Sequence, residues 1–185
     1  MIRNILIFLL TTISIFSAPA RISNIKDIYS LVKEVTYLNG EKKEKTYKIE
    51  YISPDYLRKE IILPNVNKGE IFQYEKGNAK VYIPLFDEIV EEKNQDDVSN
   101  FLSIIKDLKN KDLNDKNFIN NYYLKKIKEL KYKDSYKIKI KKYEKINGFL
   151  LPVELEIFED NSKLAELSLQ NVQVNSGIKR KELKK

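Results

Sequence analysis

Cysteine and histidine are both absent from the 185 residues, and glycine and proline number only five each. Without cysteine there is no disulfide framework, no thiol nucleophile and no thiolate metal site. Nor is there an N-terminal cysteine to receive a lipid anchor. Without histidine the usual general base and the commonest transition-metal ligand are missing. The glycines at 40, 69, 77, 148 and 177 are scattered and spell no phosphate-binding loop or dinucleotide fingerprint. Acid–base work by carboxylates remains open, and Glu91-Glu92 and Asp96-Asp97 are the densest acidic spots. They sit in a polar connection beside a helix start, where capping and solvation account for them. Serines such as Ser103 fall within ordinary periodic segments. The expectation is a protein that binds rather than catalyses, with no metal and no cofactor.

The N-terminus has three parts. Met1 to Asn4 carries one positive charge at Arg3, Ile5 to Phe16 is an apolar run, and small residues follow at Ser17, Ala18 and Ala20. This is the pattern of a secretory signal peptide over residues 1–20, cut after Ser17 or after Ala20. The apolar run falls short of the roughly 20 residues that span a bilayer. The remaining chain, residues 21–178, is long enough for one domain with its own hydrophobic core. Residues 179–185 read as a charged, frayed tail. The expected location is the periplasm: exported, soluble and not lipid-anchored. The net charge of +7 comes mostly from lysine, interleaved with glutamate as in Glu41-Lys42-Lys43-Glu44-Lys45. Nucleic-acid proteins cluster arginine on one face, so no nucleic-acid partner is expected. A net positive body is drawn only weakly to anionic headgroups.

Periodicity sets out the elements. Ile22, Ile25, Ile28, Tyr29, Val32 and Val35 fit the spacing of an amphipathic helix over 21–35. A turn at Asn39-Gly40 follows. Residues 46–52 alternate as a strand, Tyr56 to Leu63 makes a second, and 69–74 with 79–83 form a hairpin around Lys76-Gly77-Asn78. Leu85 to Val90 makes a further short strand. Asp96 and Asp97 cap a helix whose stripe runs Val98, Phe101, Leu102, Ile105 and Leu108. Lys109 to Lys116 reads as a polar link, and Phe118 to Leu130 as another helix. Then Tyr136, Ile138 and Ile140 alternate with lysines, and Leu151, Val153, Leu155 and Ile157 with glutamates. The last strand, Lys163 to Val174, carries Ala165, Leu167 and Leu169 on one face. Val172 and Val174 fall out of that phase, which predicts a bulge near Asn171. Short turns favour antiparallel neighbours. A sheet wet on one side must cover the other, and only the helices can do so. The expected fold class is α+β: a strongly curved antiparallel half-barrel, an unclosed barrel, covered by about three helices.

The stretch from Tyr51 to Pro64, the hairpin from Gly69 to Pro84, and Gly148 to Pro152 with Leu167 to Asn175 resemble, in order and spacing, the outer-membrane lipoprotein carrier (LolA-like) family. The resemblance spans nearly the whole chain after the signal. It implies a periplasmic chaperone of lipoprotein sorting, a monomer that takes lipoprotein acyl chains or another lipid into an apolar cavity. It also implies an inner-membrane donor complex, an outer-membrane acceptor and transient membrane contact. Some carriers have a basic residue before the first strand proline that bonds the helical lid. Here that position is Ser53, and Arg58 is out of place for the role. The cavity residues expected from the strand faces are Tyr47, Ile49, Tyr51, Leu57, Ile61, Phe72, Tyr82, Ile138, Ile140, Leu155, Ile157, Leu167 and Leu169. The covering helix is expected to add Phe101, Leu102 and Ile105. The alternative is a periplasmic interaction or lipid-sensing module using the same sheet.

Overall fold

A computed structural model describes residues 18–38, 40–91, 96–132 and 136–183, with backbone only at 96–101, 103 and 132. The expected signal peptide up to Ser17, with the first of its two expected cleavage points, lies outside the described residues. Six strands come first: β1 (Asp27–Leu38), β2 (Glu41–Ile52), β3 (Tyr56–Leu63), β4 (Ile71–Glu75), β5 (Asn78–Ile83) and β6 (Glu88–Glu91). Two helices follow, α1 (Asp96–Asn114) and α2 (Lys116–Tyr122). The chain ends with β7 (Glu129–Tyr132), β8 (Tyr136–Ile146), β9 (Phe149–Glu159) and β10 (Ser162–Val174).

All ten strands form one antiparallel sheet in the order β6-β5-β4-β3-β2-β1-β10-β9-β8-β7. Each half is a meander, and the pairing of β1 with β10 joins them. The sheet is open, with β6 and β7 as its edges. Laid flat, its nine inter-strand gaps would span about 43 Å. It is not flat: Ile49 on β2 and Ile138 on β8 line the same cavity, although four strand steps, about 19 Å on a flat sheet, separate them.

Residues 21–35 are not a helix. Among the described residues a single 3₁₀ turn, Ile22–Asn24, precedes β1, and there are two α-helices rather than the expected three. The apolar positions fit a period of 3.6, but Ile28, Ser30 and Val32 alternate equally well, and all three are buried. Pairing with β2 on one side and β10 on the other decides for the strand, and the β-branched Ile28, Val32, Val35 and Thr36 suit it. The polar link expected over 109–116 is instead the last turns of α1 and the start of α2. Asp115 caps α2, its carboxylate accepting from the Phe118 amide at 2.9 Å. The helix expected to reach Leu130 stops at Tyr122, and Glu129–Tyr132 pairs with β8 as an edge strand.

The bulge in β10 lies where the sequence puts it. Leu31 pairs with Gln170 and Tyr29 with Gln173, so three steps of β10 match two of β1. Asn171 takes a left-handed φ of 52°, and the extra residue restores the inward phase, burying Val174. The tail is held rather than free as far as Lys181. Asp27 accepts the amides of Ser176 and Gly177 at 2.8 and 3.1 Å. Arg180 pairs with Asp55 and Glu75, and Lys181 with Glu50, across the outer face of β2 to β4. A β-branched residue at a left-handed position costs about 1–2 kcal/mol. Asn171→Val should lower the unfolding free energy by about that much in urea titration, while Asn171→Gly should change it little.

Candidate functional site

The concave face of the sheet and the underside of α1 enclose an apolar cavity of about 110 Å³. Its walls follow from strand alternation. On β2, Tyr47 and Ile49 point inward; on β8 and β9, Ile138, Leu155 and Ile157; on β10, Leu167 and Leu169. From α1, Ile104, Ile105 and Leu108 close the top, and Tyr122 of α2 closes one side. Of the sixteen residues expected from sequence, eight line this cavity: Tyr47, Ile49, Ile105, Ile138, Leu155, Ile157, Leu167 and Leu169. Tyr51, Leu57, Ile61 and Leu102 are packed into the adjoining core, with Phe72 partly buried against it. Ile140 is buried on the same face, opposite Leu155. Tyr82 points the other way. It pairs with Ile71 on the outer face, and its hydroxyl donates to Asp87 at 3.1 Å, because Ala79, Val81 and Ile83 take the inward positions of β5. The Phe101 side chain lies outside the described residues.

Sequence reasoning missed the cavity floor. Ile22, Ile25, Ile28 and Val32 all line it, and they had been assigned to a helix. Alternation of Ile28 and Val32 around a small Ser30 was the available signal. Leu130 was likewise hidden, since its strand of four residues is too short for a period to show.

The polar groups gather at one end of α1. Asp112 is fully buried. One oxygen accepts from Arg21 Nε at 2.9 Å and Tyr123 Oη at 2.8 Å, and the other from the Ser23 amide at 2.9 Å. Tyr123 Oη in turn accepts from the Ile22 amide at 2.9 Å. Burial alone would raise the Asp112 pKa, but the hydrogen bonds from Ser23, Tyr123 and Arg21 outweigh it and hold the carboxyl below its usual range. Burial, with Asp112 beside it, pushes the Tyr123 hydroxyl up to about 12. One turn earlier, Lys109 Nζ donates to the Ile25 carbonyl and to Ser53 Oγ, both at 2.8 Å. Burial draws its pKa below the ordinary lysine value. The helix, not the strand, thus supplies the cation at Ser53. Behind α2, Phe118, Tyr122 and Tyr143 form stacked and edge-on ring pairs at 5.1 and 5.5 Å, and Tyr122 Oη donates to the Leu150 carbonyl at 3.0 Å.

This arrangement can hold apolar matter. Among the described residues no group of three acidic side chains could hold a metal, and Glu91 is exposed. Glu92 and the side chains of Asp96 and Asp97 lie outside the described residues. Among the described residues no helix is long and apolar enough to cross a membrane.

Solved structures share this fold of an open, curved antiparallel sheet with helices over its concave side. A DUF1329 family protein from Desulfovibrio piger superposes with a TM-score of 0.57 at 13% identity, covering 85% of this chain and 89% of its own. A domain from Vibrio parahaemolyticus, assigned as an outer membrane lipoprotein-sorting protein, gives 0.56 at 8% identity over 83% and 87%. A LolA superfamily protein from Nitrosomonas europaea gives 0.55 at 8% identity over 83% and 88%. At these identities the likeness is one of fold. No protein-family model matches the sequence, and no curated protein matches it either.

The Asp112 cluster makes a signed prediction. A carboxylate whose pKa is lower folded than unfolded adds stability that is whole above the unfolded value, about 3.9, and is lost as pH falls through the folded value. Asp112→Asn should cost about 3 kcal/mol at neutral pH. In urea titrations at stepped pH, its gap from wild type should narrow below about pH 4. A gap that stays constant well below that range would show that the charge of Asp112 is not what stabilises the fold.

Proposed function

We propose that this chain is a non-catalytic periplasmic carrier that takes acyl chains of lipoproteins, or of another lipid, into the cavity between α1 and the sheet. The observation that carries the reading is that cavity: side chains from six strands, both helices and the segment before β1 converge on one space walled by apolar groups. The fold shared with LolA-superfamily structures supports it. In this reading residues 1–20 are a cleaved signal peptide, cut after Ser17 or Ala20. The unanchored protein shuttles from an inner-membrane donor to an outer-membrane acceptor as a monomer.

Size sets a condition on the mechanism. Ligand pockets run to about 300–1,000 Å³, so a space of about 110 Å³ must widen to admit an acyl chain. The sheet is held by continuous ladders, whereas α1 rests on it through side chains such as Leu102, Ile105 and Leu108. Widening therefore means lifting α1 while Lys109 and Asp112 hold its C-terminal end. The small volume also favours the second reading, a lipid-sensing or protein-docking module that never opens far.

The test has two arms. Protein purified from the periplasm should carry lipid detectable by mass spectrometry, and lipid-free protein should bind a fluorescent fatty-acid probe. Placing a charge in the cavity with Ile105→Glu or Leu155→Glu should weaken the probe by at least about tenfold, with the circular dichroism spectrum retained. No lipid, together with probe binding unaffected by either variant, would reject the carrier in favour of the docking module.

A further inference from the structure

Among the described residues eight large apolar side chains stand exposed, and five share one end of the half-barrel. The strand register places the β1–β2 hairpin, the β3–β4 loop and the β5–β6 turn together there. Val66 is 86% exposed, Leu85 83%, Phe86 64%, Leu38 60% and Leu63 48%. Two of the loops brace each other. A Cβ on Gly69, whose φ is +87°, would lie 3.2 Å from the Pro84 ring, so glycine permits this approach of the Val66 loop to the Leu85-Phe86 turn.

We infer that these loops are a bilayer-docking tip, through which the open end of the half-barrel seats in lipid. This rests on the carrier reading for what the contact would deliver. Three observations select a bilayer as the occupant. First, the side chains sit at separate strand ends and turns rather than on one sheet face, an arrangement that a fluid layer can envelop. Second, apolar side chains lead from the tip toward the cavity along the inner face, with one lysine between the last two rings. Val81 follows Ile83 on the inner face of β5 and pairs with Phe72, and the Lys59 ammonium lies 5.8 Å from the Phe72 ring and 4.3 Å from that of Tyr47, a cavity residue. Third, the charges here balance. Lys42 pairs with Glu44 and Lys43 with Glu41, while Asp87 and Glu88 offset Lys45 and Lys68. The attachment is therefore apolar, and it should depend little on lipid charge or salt.

The absence of tryptophan makes a clean experiment possible. Phe86→Trp would place a single reporter at the tip. Leu124→Trp would place one at an exposed apolar site beside Tyr123, at the other end of the fold. On adding vesicles of phosphatidylcholine, with or without phosphatidylglycerol, the Phe86→Trp emission should shift blue and be quenched by brominated acyl chains. Leu124→Trp should not respond. The double variant Val66→Asp, Leu85→Asp should lose at least about tenfold in vesicle binding while its fatty-acid probe affinity, measured without vesicles, stays unchanged. Equal responses from both reporters, vesicle binding unaffected by the double variant, or a blue shift on concentrating the protein without lipid would each overturn the inference. Because probe uptake is measured separately, failure of the tip and failure of the carrier reading are distinguishable.

Discussion

Pairing of β1 with β10 is the constraint on which the rest of the structure depends. It joins a six-strand and a four-strand meander into one sheet and leaves β6 and β7 at opposite edges. The chain must then travel from Glu91 to Glu129, from one edge to the other, and the concave face is the surface that lacks cover. The 19 residues of α1 supply about 28 Å of that path, less than the width of a flat ten-stranded sheet. Curvature and crossing helix are thus one solution. The sheet curls until the helix can reach across, and the helix buries the face that curling has made concave.

The outer face solves a different problem with the charged residues. Lys48 and Glu60, Lys141 and Glu156, and Arg58 and Glu60 form ion pairs there. Such pairs contribute little individually at an exposed surface, but they mark the outer face of β2, β3, β8 and β9 and so help fix which face turns inward. The edges are short and charged: β6 carries Glu88 and Glu91, and β7 Glu129 and Lys131. That is how open sheets discourage edge-to-edge growth. The C-terminal tail adds cover. Arg180 and Lys181 meet acidic groups over a patch where Tyr56 and Glu50 are already buried.

Legibility in the sequence tracked how many neighbours a segment needs before its state is decided. Tyr136-Ile138-Ile140 and Leu155-Ile157 alternate so strictly with charged residues that strand and inward face follow together, and each of these except Tyr136 is a residue named in advance. Asn171 was legible too, because Val172 and Val174 could not share a face with Leu169 without an extra residue. Ile22 to Val35 was not. Its apolar spacing satisfies both periods, and only β2 and β10, one of them more than a hundred residues away, settle it. Tyr82 failed for a smaller reason: in a six-residue strand with apolar residues at 79, 81, 82 and 83, alternation does not say which face is inside. Asp112 was invisible for the opposite reason. A lone aspartate among lysines and asparagines reads as surface until the Ser23 amide and Arg21 are folded against it.

The placement of polar contacts gives the cavity a direction. Between α1 and the segments beneath it, Lys109 and Asp112 hold the C-terminal half of the helix, while Leu102, Ile105 and Leu108 make apolar contacts along the same stripe. Apolar contacts with the sheet can be exchanged for apolar contacts with an acyl chain at little net free energy, since a methylene gains roughly 0.8 kcal/mol on leaving water for either surface. Hydrogen bonds to a buried carboxylate cannot be exchanged in that way, because a lipid tail has no donors to offer and the charge would be left unpaired. In the carrier reading, a helix fastened near its C-terminal end by groups that lipid cannot replace yields along Leu102, Ile105 and Leu108, where it rests on groups that lipid can. For a carrier the near-balance is the useful property. A deep, permanently open cavity would hold its cargo too well to release it, whereas one that closes on its own side chains returns much of the binding free energy when the cargo leaves.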